Sequence, residues 1–311
     1  MANRETASDP LFDVRNSYYL GEYQKCINEA QKAKRSTPEL NLERDTYMYR
    51  AYIGLDKFKL VLDELRTTPS EELKAVSLLA EYLYVRHTSP GDEAKRSVVV
   101  KKLDDKLASG GVASSNYVFF VAAATIYCFE ENFETALRVL HNSDHLECLA
   151  YSVFTYCKME RPDCAKKIVK RMQGTEEDAT LTQLAEATVN LQQNGEHVQE
   201  AYHIFHDLSD KYPASTIALT GMTTALICMG RWDEAESYLQ DALQKDANNP
   251  SILANLIVCS GHTTKSEDVI KRYVNQLQDA HPNHPLTQLF ATKEREFDRV
   301  IKQYAPEVAT N

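Results

Sequence analysis

The chain has 311 residues, of which 43% are hydrophobic and only ten each are glycine and proline, a composition that can bury a core and argues against disorder. The formal net charge of −10 argues against a protein that binds DNA or an anionic membrane directly, because such proteins need basic surfaces to neutralise phosphates. The seven cysteines are odd in number and scattered, which favours reduced thiols in the cytosol over a disulfide framework.

The N-terminal third of the chain contains predicted pairs of amphipathic helices. Residues 11–20 form the predicted first helix, and Cys26 lies on the predicted buried face of the second helix. Val61 holds the equivalent position in the second pair. Residues 73–106 follow the pattern less closely and form a divergent third pair, which ends in the polar loop 109–115.

The middle of the chain opens on its most apolar segment, residues 117–129. This segment is shorter than the roughly 20 residues that a membrane-spanning helix needs, and it therefore predicts a buried helix. Further along, residues 219–250 carry apolar side chains at the spacing of a tetratricopeptide helix pair. Gly230 closes the turn of this pair, and the small side chain of Ala235 lets the two helices approach closely.

One position of the repeat, occupied by a small or branched side chain, can be followed along the chain. Its occurrences are Cys26, Val61, Ala94, Ala136, Ala165, Ala201, Ala235 and Val269. The last three steps are 36, 34 and 34 residues long, close to the period of about 34 that tetratricopeptide repeats have. The spacing therefore predicts repeated helix pairs along most of the chain.

These elements predict an all-α fold, a tetratricopeptide-type helical-hairpin solenoid of about eight helix pairs over residues 1–285. Pro282 and Pro285 end the last repeat. Residues 286–311 are predicted to form a C-terminal capping helix and tail, because a solenoid must cover its last apolar face. No sustained alternation bounded by hairpin turns predicts a strand.

No catalytic signature accompanies the repeats. The chain lacks the glycine-rich phosphate loop, the G-x-S-x-G turn and the H-E-x-x-H metal motif, so we expect no catalytic residues and no cofactor. His141, His145 and Cys148 would suit zinc if they shared one helix face. The intervening segment 142–144 indicates a turn, and no fourth ligand is evident, so turn histidines and a core cysteine are the favoured interpretation and no metal site is expected.

A partner-binding surface is expected on the first helix of each pair, which lines the concave side of such arrays. The predicted contact residues are Val121, Thr125, Cys128, Phe154, Cys157, Asn190, Ile217, Thr224, Ile227 and Val258. Most of these side chains are apolar or small, which indicates a partner that buries hydrophobic surface in a stable complex. The alternative is that they only pack against adjacent helices.

The same surface distinguishes two functions. Repeat proteins that clamp acidic peptide tails use lysine and asparagine, and the predicted concave face does not assemble such a ring. A tetratricopeptide adaptor or co-chaperone that reads short peptide tails is therefore the second hypothesis, behind a structural subunit that binds a larger partner.

Several segments of the chain carry a resemblance to a known family. They are DPLFDVRNSYYLGEYQKCINEAQ, ERDTYMYRAYIGLDKFKLVLDEL, KRMQGTEEDATLTQLA and the ending GRWDEAESYLQDAL…YVNQLQDAHPNHP…EFDRVIKQYAP. The stretches EEDATLTQLA and EFDRVIKQYAP are not dictated by the repeat, so the match goes beyond generic spacing. Over nearly its whole length the chain resembles the epsilon subunit of coatomer.

This resemblance implies a non-catalytic structural subunit of the coat on vesicles that bud from Golgi membranes, acting in retrograde Golgi-to-ER and intra-Golgi transport. In that family the subunit binds the C-terminal domain of the alpha subunit and encircles a protruding segment of it. The resemblance places the predicted concave residues in this contact. It implies only indirect contact with other coatomer subunits, and a cytoplasmic protein held peripherally on Golgi membranes and coated vesicles by the coat.

Overall fold

The computed structural model describes residues 9–33, 37–89, 91–263 and 266–304. These residues form seventeen α-helices, and no strand occurs among them. The expected all-α class is confirmed. The outermost residues of the two predicted segments, 1–8 and 305–311, lie outside the described ranges.

The helices follow one another as eight hairpins and a final single helix. The hairpins are α1 Phe12–Tyr19 with α2 Tyr23–Lys32, α3 Pro38–Gly54 with α4 Phe58–Glu64, α5 Glu71–Thr88 with α6 Glu93–Ala108, α7 Tyr117–Phe129 with α8 Phe133–Leu140, α9 Leu146–Lys158 with α10 Pro162–Glu176, α11 Thr180–Gln193 with α12 His197–Lys211, α13 Thr216–Cys228 with α14 Trp232–Lys245, and α15 Pro250–His262 with α16 Glu267–Ala280, and the last helix is α17 Pro285–Tyr304.

The chain groups into two compact units. Unit 1 contains Met1–Ile204 and Ala214–Ile217, and unit 2 contains Phe205–Pro213 and Ala218–Asn311. The division into a repeat array over 1–285 and a capping segment over 286–311 stays a prediction.

The same tight turn joins the two helices in five of the hairpins. In the second hairpin, Lys57 N donates to the carbonyl of Tyr52 and Asp56 N donates to the carbonyl of Ile53, both at 3.0 Å. This pair of bonds defines a Schellman turn, which satisfies the last carbonyls of a helix and needs a residue with positive φ. The residues in that conformation are Gly21, Asp56, Glu131, Glu160 and Gly230.

Two of these turns use a glutamate where glycine would carry no steric penalty. Glu131 and Glu160 both have a φ of 58° and are exposed. The left-handed conformation costs an L-residue about 1–2 kcal/mol, and a change to glycine removes this cost. Glycine also gives the unfolded chain more conformational freedom, which cancels about half of the gain in stability. We expect Glu131→Gly and Glu160→Gly each to raise the free energy of unfolding by about 0.5–1 kcal/mol, measured by urea denaturation.

A matched control is Glu134→Gly in the first turn of α8, where φ is helical. This change should lower the free energy of unfolding by about 1 kcal/mol, since glycine is a poor helix former. A loss of stability at Glu131 or Glu160 as well would show that their carboxylates make a contribution larger than the backbone strain.

Helix α7 forms the centre of the unit 1 core. Nine of its thirteen residues are buried, including Phe119 and Ile126. It packs against α5, α8 and α9, so it has neighbours on several sides. The expectation of a buried helix in this segment is confirmed.

Helices far apart in sequence also meet within unit 1. The Arg50 guanidinium of α3 lies 2.6 Å from the carboxylate of Glu147 at the start of α9. Ser215 Oγ donates to the carbonyl of Leu20 at 2.9 Å, and α1 contacts α11. Because repeats of a solenoid contact mainly their neighbours, these contacts were not expected from the sequence.

Candidate partner-binding surface

The ten predicted contact residues differ in how much surface they offer. Phe154 is 45% exposed, and Ile217 and Val258 are each 39% exposed. The half-buried members are Thr125, Cys128, Cys157, Thr224 and Ile227. The buried members are Val121 and Asn190, with 3% and 8% of their surface exposed. Those two lie in the packed interior of unit 1 and offer a partner almost no surface.

Phe154 is the most exposed of the ten. It projects from α9 with its ring edge-on to Tyr151, 6.2 Å between centroids, and with Lys158 Nζ 5.4 Å from its own centroid. The next residue of the same helix is Thr155, whose hydroxyl lies 3.5 Å from the Cys128 thiol of α7. An aromatic ring held among packed neighbours yet left open is a good anchor for a hydrophobic partner.

Ile217 has a second environment besides solvent. A Cβ atom at Gly21 would lie 3.0 Å from Ile217 Cδ1, so the turn between α1 and α2 approaches this side chain closely because residue 21 is a glycine. Gly21 also has a φ of 75°, which the Schellman turn requires. Part of the Ile217 side chain therefore packs against the turn at Gly21, and the rest remains exposed.

In unit 2, Thr224 is tied to a neighbouring helix. Its hydroxyl donates to the carbonyl of Thr220 at 2.7 Å and accepts from Asn255 Nδ2 at 3.1 Å. Val258, on the same helix as Asn255, remains exposed. The Thr224 hydroxyl therefore binds an adjacent helix, which is the alternative to a partner contact, whereas Val258 offers apolar surface to a partner.

Sequence reasoning missed a buried polar cluster in unit 1, which we call the Arg50 cluster: Arg50, Glu147, Tyr18, Tyr19 and Tyr47. Tyr47 OH and Tyr19 OH donate to Glu147 Oε1 at 2.5 and 2.9 Å, and Arg50 is bound to Glu147 Oε2. The guanidinium also lies 4.5 Å from the Tyr18 ring centroid. The sequence feature that could have indicated this cluster is a single arginine among tyrosines in the buried part of α3.

The charges of this cluster stabilise each other. Burial by itself would raise the pKa of the Glu147 carboxyl, but Arg50 and the Tyr47 hydroxyl hold that pKa below its usual value. Arg50 and Glu147 are 6% and 2% exposed, so neither charge can be hydrated if its partner is removed. Both groups are therefore ionised and mutually dependent.

His141, His145 and Cys148 do not share a helix face. His141 caps the end of α8, His145 caps the start of α9, and the Cys148 thiol donates to the carbonyl of Tyr117 at 3.9 Å. Across the described ranges, no three histidine, cysteine or acidic side chains come together as metal ligands. All seven cysteines are free thiols, of which Cys26 and two others are buried.

His145 has a structural role that depends on its protonation state. Its Nδ1 accepts a hydrogen bond from Glu147 N at 3.3 Å, which caps α9, and its ring stacks on Tyr117 with 3.6 Å between centroids. Desolvation lowers the pKa of His145 below its usual 6.5 and outweighs the opposite effect of the nearby Glu147 carboxylate. The unprotonated ring is the form that makes the cap.

The capping contribution of His145 should therefore depend on pH. Because the folded-state pKa lies below the unfolded value, this contribution is fully present above pH 6.5 and is lost as the pH falls from there through the folded-state pKa. Asparagine at position 145 would keep a capping acceptor but could not titrate. On acidification, we therefore expect the free energy of unfolding of His145→Asn to fall by about 0.5 kcal/mol less than that of the parent. The difference is modest because water reaches the exposed part of the residue.

The measurement is urea denaturation of both proteins at pH 7.5 and at pH 5.5. Identical pH dependence of the two proteins would contradict a role for His145 protonation. A more acid-sensitive variant would do the same.

In the part of the chain that is described, no helix combines the length and the apolar character that crossing a bilayer requires.

Comparison with known proteins gives a consistent family. The sequence profile described as "Coatomer epsilon subunit" matches residues 7–305. The chain is 41% identical over 297 residues to "Coatomer subunit epsilon-1" of Arabidopsis thaliana, covering 96% of this chain and 98% of that protein. It is 34% identical over 294 residues to "Coatomer subunit epsilon" of Caenorhabditis elegans, covering 94% and 98% respectively.

Among solved structures, the chain is similar to one in "Crystal structure of APC/C hetero-tetramer Cut9-Hcn1". The TM-score is 0.57 at 13% identity, over 94% of this chain and 57% of that one. At this identity the likeness concerns the fold alone, and it confirms a tetratricopeptide-type helical-hairpin solenoid. The sequence profile and the relatives together show that the chain belongs to the coatomer epsilon subunit family, a family of structural and non-enzymatic proteins.

Proposed function

We propose that this chain is a structural subunit of the coatomer vesicle coat that binds and stabilises the C-terminal domain of the alpha subunit. It would act in retrograde Golgi-to-ER and intra-Golgi transport, as a cytoplasmic protein that reaches Golgi membranes and coated vesicles only through the coat. Contacts with other coatomer subunits would be indirect. Membership of the family over residues 7–305 supports the coat assignment.

The exposed side chain of Phe154 is the observation that carries the binding mode. Together with Ile217 and Val258, it is an apolar first-helix residue with more than a third of its surface exposed. An acidic peptide tail would require cations at such positions. A folded partner that buries apolar surface fits them better, because a few buried aromatic anchors supply most of the energy of a stable interface.

The first experiment is co-purification of the full chain with the C-terminal domain of the coatomer alpha subunit, followed by light scattering to obtain the mass of the complex. A one-to-one complex that survives high salt supports the proposal, since hydrophobic contacts are not screened as ion pairs are. Separate elution would contradict it. Salt-sensitive binding to acidic C-terminal peptides instead would favour the adaptor function.

A substitution at the surface tests which residues make the contact. We expect Phe154→Asp to weaken binding of the alpha-subunit domain at least tenfold, about 1.4 kcal/mol, because it buries a charge in place of an anchor. Binding is measured by titration calorimetry, and circular dichroism checks the fold. Ile227→Asp should act in the same direction if its exposed part faces the partner.

Val98→Asp is the matched control, because Val98 is 58% exposed on α6, the second helix of its hairpin. It should leave the affinity unchanged. Equal losses for Phe154→Asp and Val98→Asp would argue against a contact made by first helices. Loss of helical signal in Ile227→Asp would place Ile227 in the core.

A further inference from the structure

A second exposed aromatic ring lies near Phe154, on the neighbouring first helix of unit 1. Phe129 is the last residue of α7 and is 42% exposed, although most of α7 is buried. It is not among the ten contact residues that the sequence predicted. Singly exposed apolar side chains are common on protein surfaces, so the position of Phe129 relative to Phe154 decides whether the two rings act together.

The contact between α7 and α9 determines the directions of the two rings. The Cys128 thiol and the Thr155 hydroxyl meet at 3.5 Å, so these side chains point toward each other from the two helices. The chain reverses after α7 and again after α8, so α7 and α9 run in the same direction. Phe129 follows Cys128, Phe154 precedes Thr155, and each step turns the side chain by about 100°. The two rotations have opposite senses, so both rings project from the same side of the helix pair.

The two rings are close enough to contact one segment of a partner. The axes of packed helices lie about 8–10 Å apart, and the two ring-bearing positions differ by about 3 Å along the axes, at about 1.5 Å per residue. An apolar side chain makes van der Waals contact at about 3.5–4.0 Å on each of its sides. A single apolar segment that packs on this surface can therefore touch both rings at once.

Both rings are held in place by their own chain. The guanidinium carbon of Arg86 lies 4.5 Å from the centroid of the Phe129 ring, and Arg86 Nη1 donates to the Phe129 carbonyl at 3.3 Å. Tyr82 stacks on the same ring, with 6.2 Å between centroids. Phe154 has a matching arrangement, with a lysine and a tyrosine beside its ring. Rings that are already ordered lose little conformational entropy on binding, which favours them as anchors.

We propose that Phe129 and Phe154 form a paired aromatic anchor, which binds a single apolar segment of the C-terminal domain of the coatomer alpha subunit. This inference rests on the proposed function. It adds a contact residue from α7 to that function, and it assigns both rings to one segment of the partner. Because the two rings share that segment, their contributions to the affinity are coupled.

The test measures the affinity of the full chain for the alpha-subunit domain by titration calorimetry. Phe129→Ser and Phe154→Ser should each weaken binding at least about tenfold. The combined loss in the double variant should be smaller, by at least about threefold, than the product of the two single losses, because either substitution alone already releases the shared segment. Circular dichroism checks that each variant keeps its helices.

Phe12→Ser is the matched control, because Phe12 is 53% exposed on α1, which is also the first helix of its hairpin. It should change the affinity less than about twofold. A loss as large as that of Phe129→Ser would show that binding depends on exposed aromatic rings in general, and it would overturn the paired anchor. Single losses that multiply fully in the double variant would overturn it as well.

Photocrosslinking tests whether both rings meet one segment. The photoreactive residue p-benzoylphenylalanine, placed at position 129 or at position 154, should crosslink to the same short segment of the alpha-subunit domain, as identified by mass spectrometry. Crosslinks to separate segments would overturn the proposal. If the parent chain binds the domain and Phe129→Ser binds it equally well, the paired anchor alone is refuted. If the parent chain does not bind the domain, the proposed function is refuted, and the paired anchor with it.

Discussion

Replacing Arg50 with alanine is expected to lower the free energy of unfolding by about 3–5 kcal/mol. The substitution leaves the Glu147 carboxylate buried at 2% exposure without its cation, with only the Tyr19 and Tyr47 hydroxyls as donors. A buried charge that loses its partner keeps its full desolvation cost. The measurement is urea denaturation at neutral pH, followed by circular dichroism.

Arg15→Ala is the matched control. Arg15 pairs with Asp9 and Glu43, but its side chain is 31% exposed, so its loss should cost about 1 kcal/mol or less. The double variant Arg50→Met with Glu147→Leu removes both buried charges and should recover most of the loss. Equal small effects of Arg50→Ala and Arg15→Ala would show that the Arg50 cluster is hydrated in solution.

Gly221→Ala in α13 is expected to lower the free energy of unfolding by about 1–3 kcal/mol. A Cβ atom at this position would lie 2.5 Å from the Phe205 ring, closer than two carbon atoms can approach. Phe205 is itself only 4% exposed, so its ring cannot turn aside without disturbing the core of unit 2. Thermal and urea denaturation both measure the effect.

Gly174→Ala in α10 is the control with the opposite sign. Nothing lies within 4 Å of a Cβ atom there, and the position is exposed within a helix. Alanine is the better helix former, so the variant should be more stable by about 0.5–1 kcal/mol. If both substitutions stabilise the chain, Phe205 does not pack against Gly221 as described.

The helical hairpins could be predicted from the sequence because their signals are local. An apolar side chain every three or four residues determines which face of a helix is buried, and the recurrence of Ala201, Ala235 and Val269 indicates the repeat. Gly230 was recognised as a turn for the same reason. Glu131 and Glu160 adopt the same turn without a glycine, because helix packing on both sides holds the chain in that conformation.

The candidate surface could be predicted only in part. Phe154 and Val258 are exposed on first helices, as expected, and whether they contact a partner stays a prediction. Val121 is buried because α7 is apolar on nearly every side and is covered by α5, α8 and α9. A helix without a polar face gives no local indication of which side chain is left open.

By itself, the sequence determined the helices, their pairing into hairpins, the repeat and the family, since each of these is recorded in spacings of a few residues or in the order of whole segments. Only the tertiary structure decided that Arg50 meets Glu147 and that Ser215 meets Leu20. Which distant helices meet depends on the small rotations that accumulate from one repeat to the next, and no short window of sequence contains that sum.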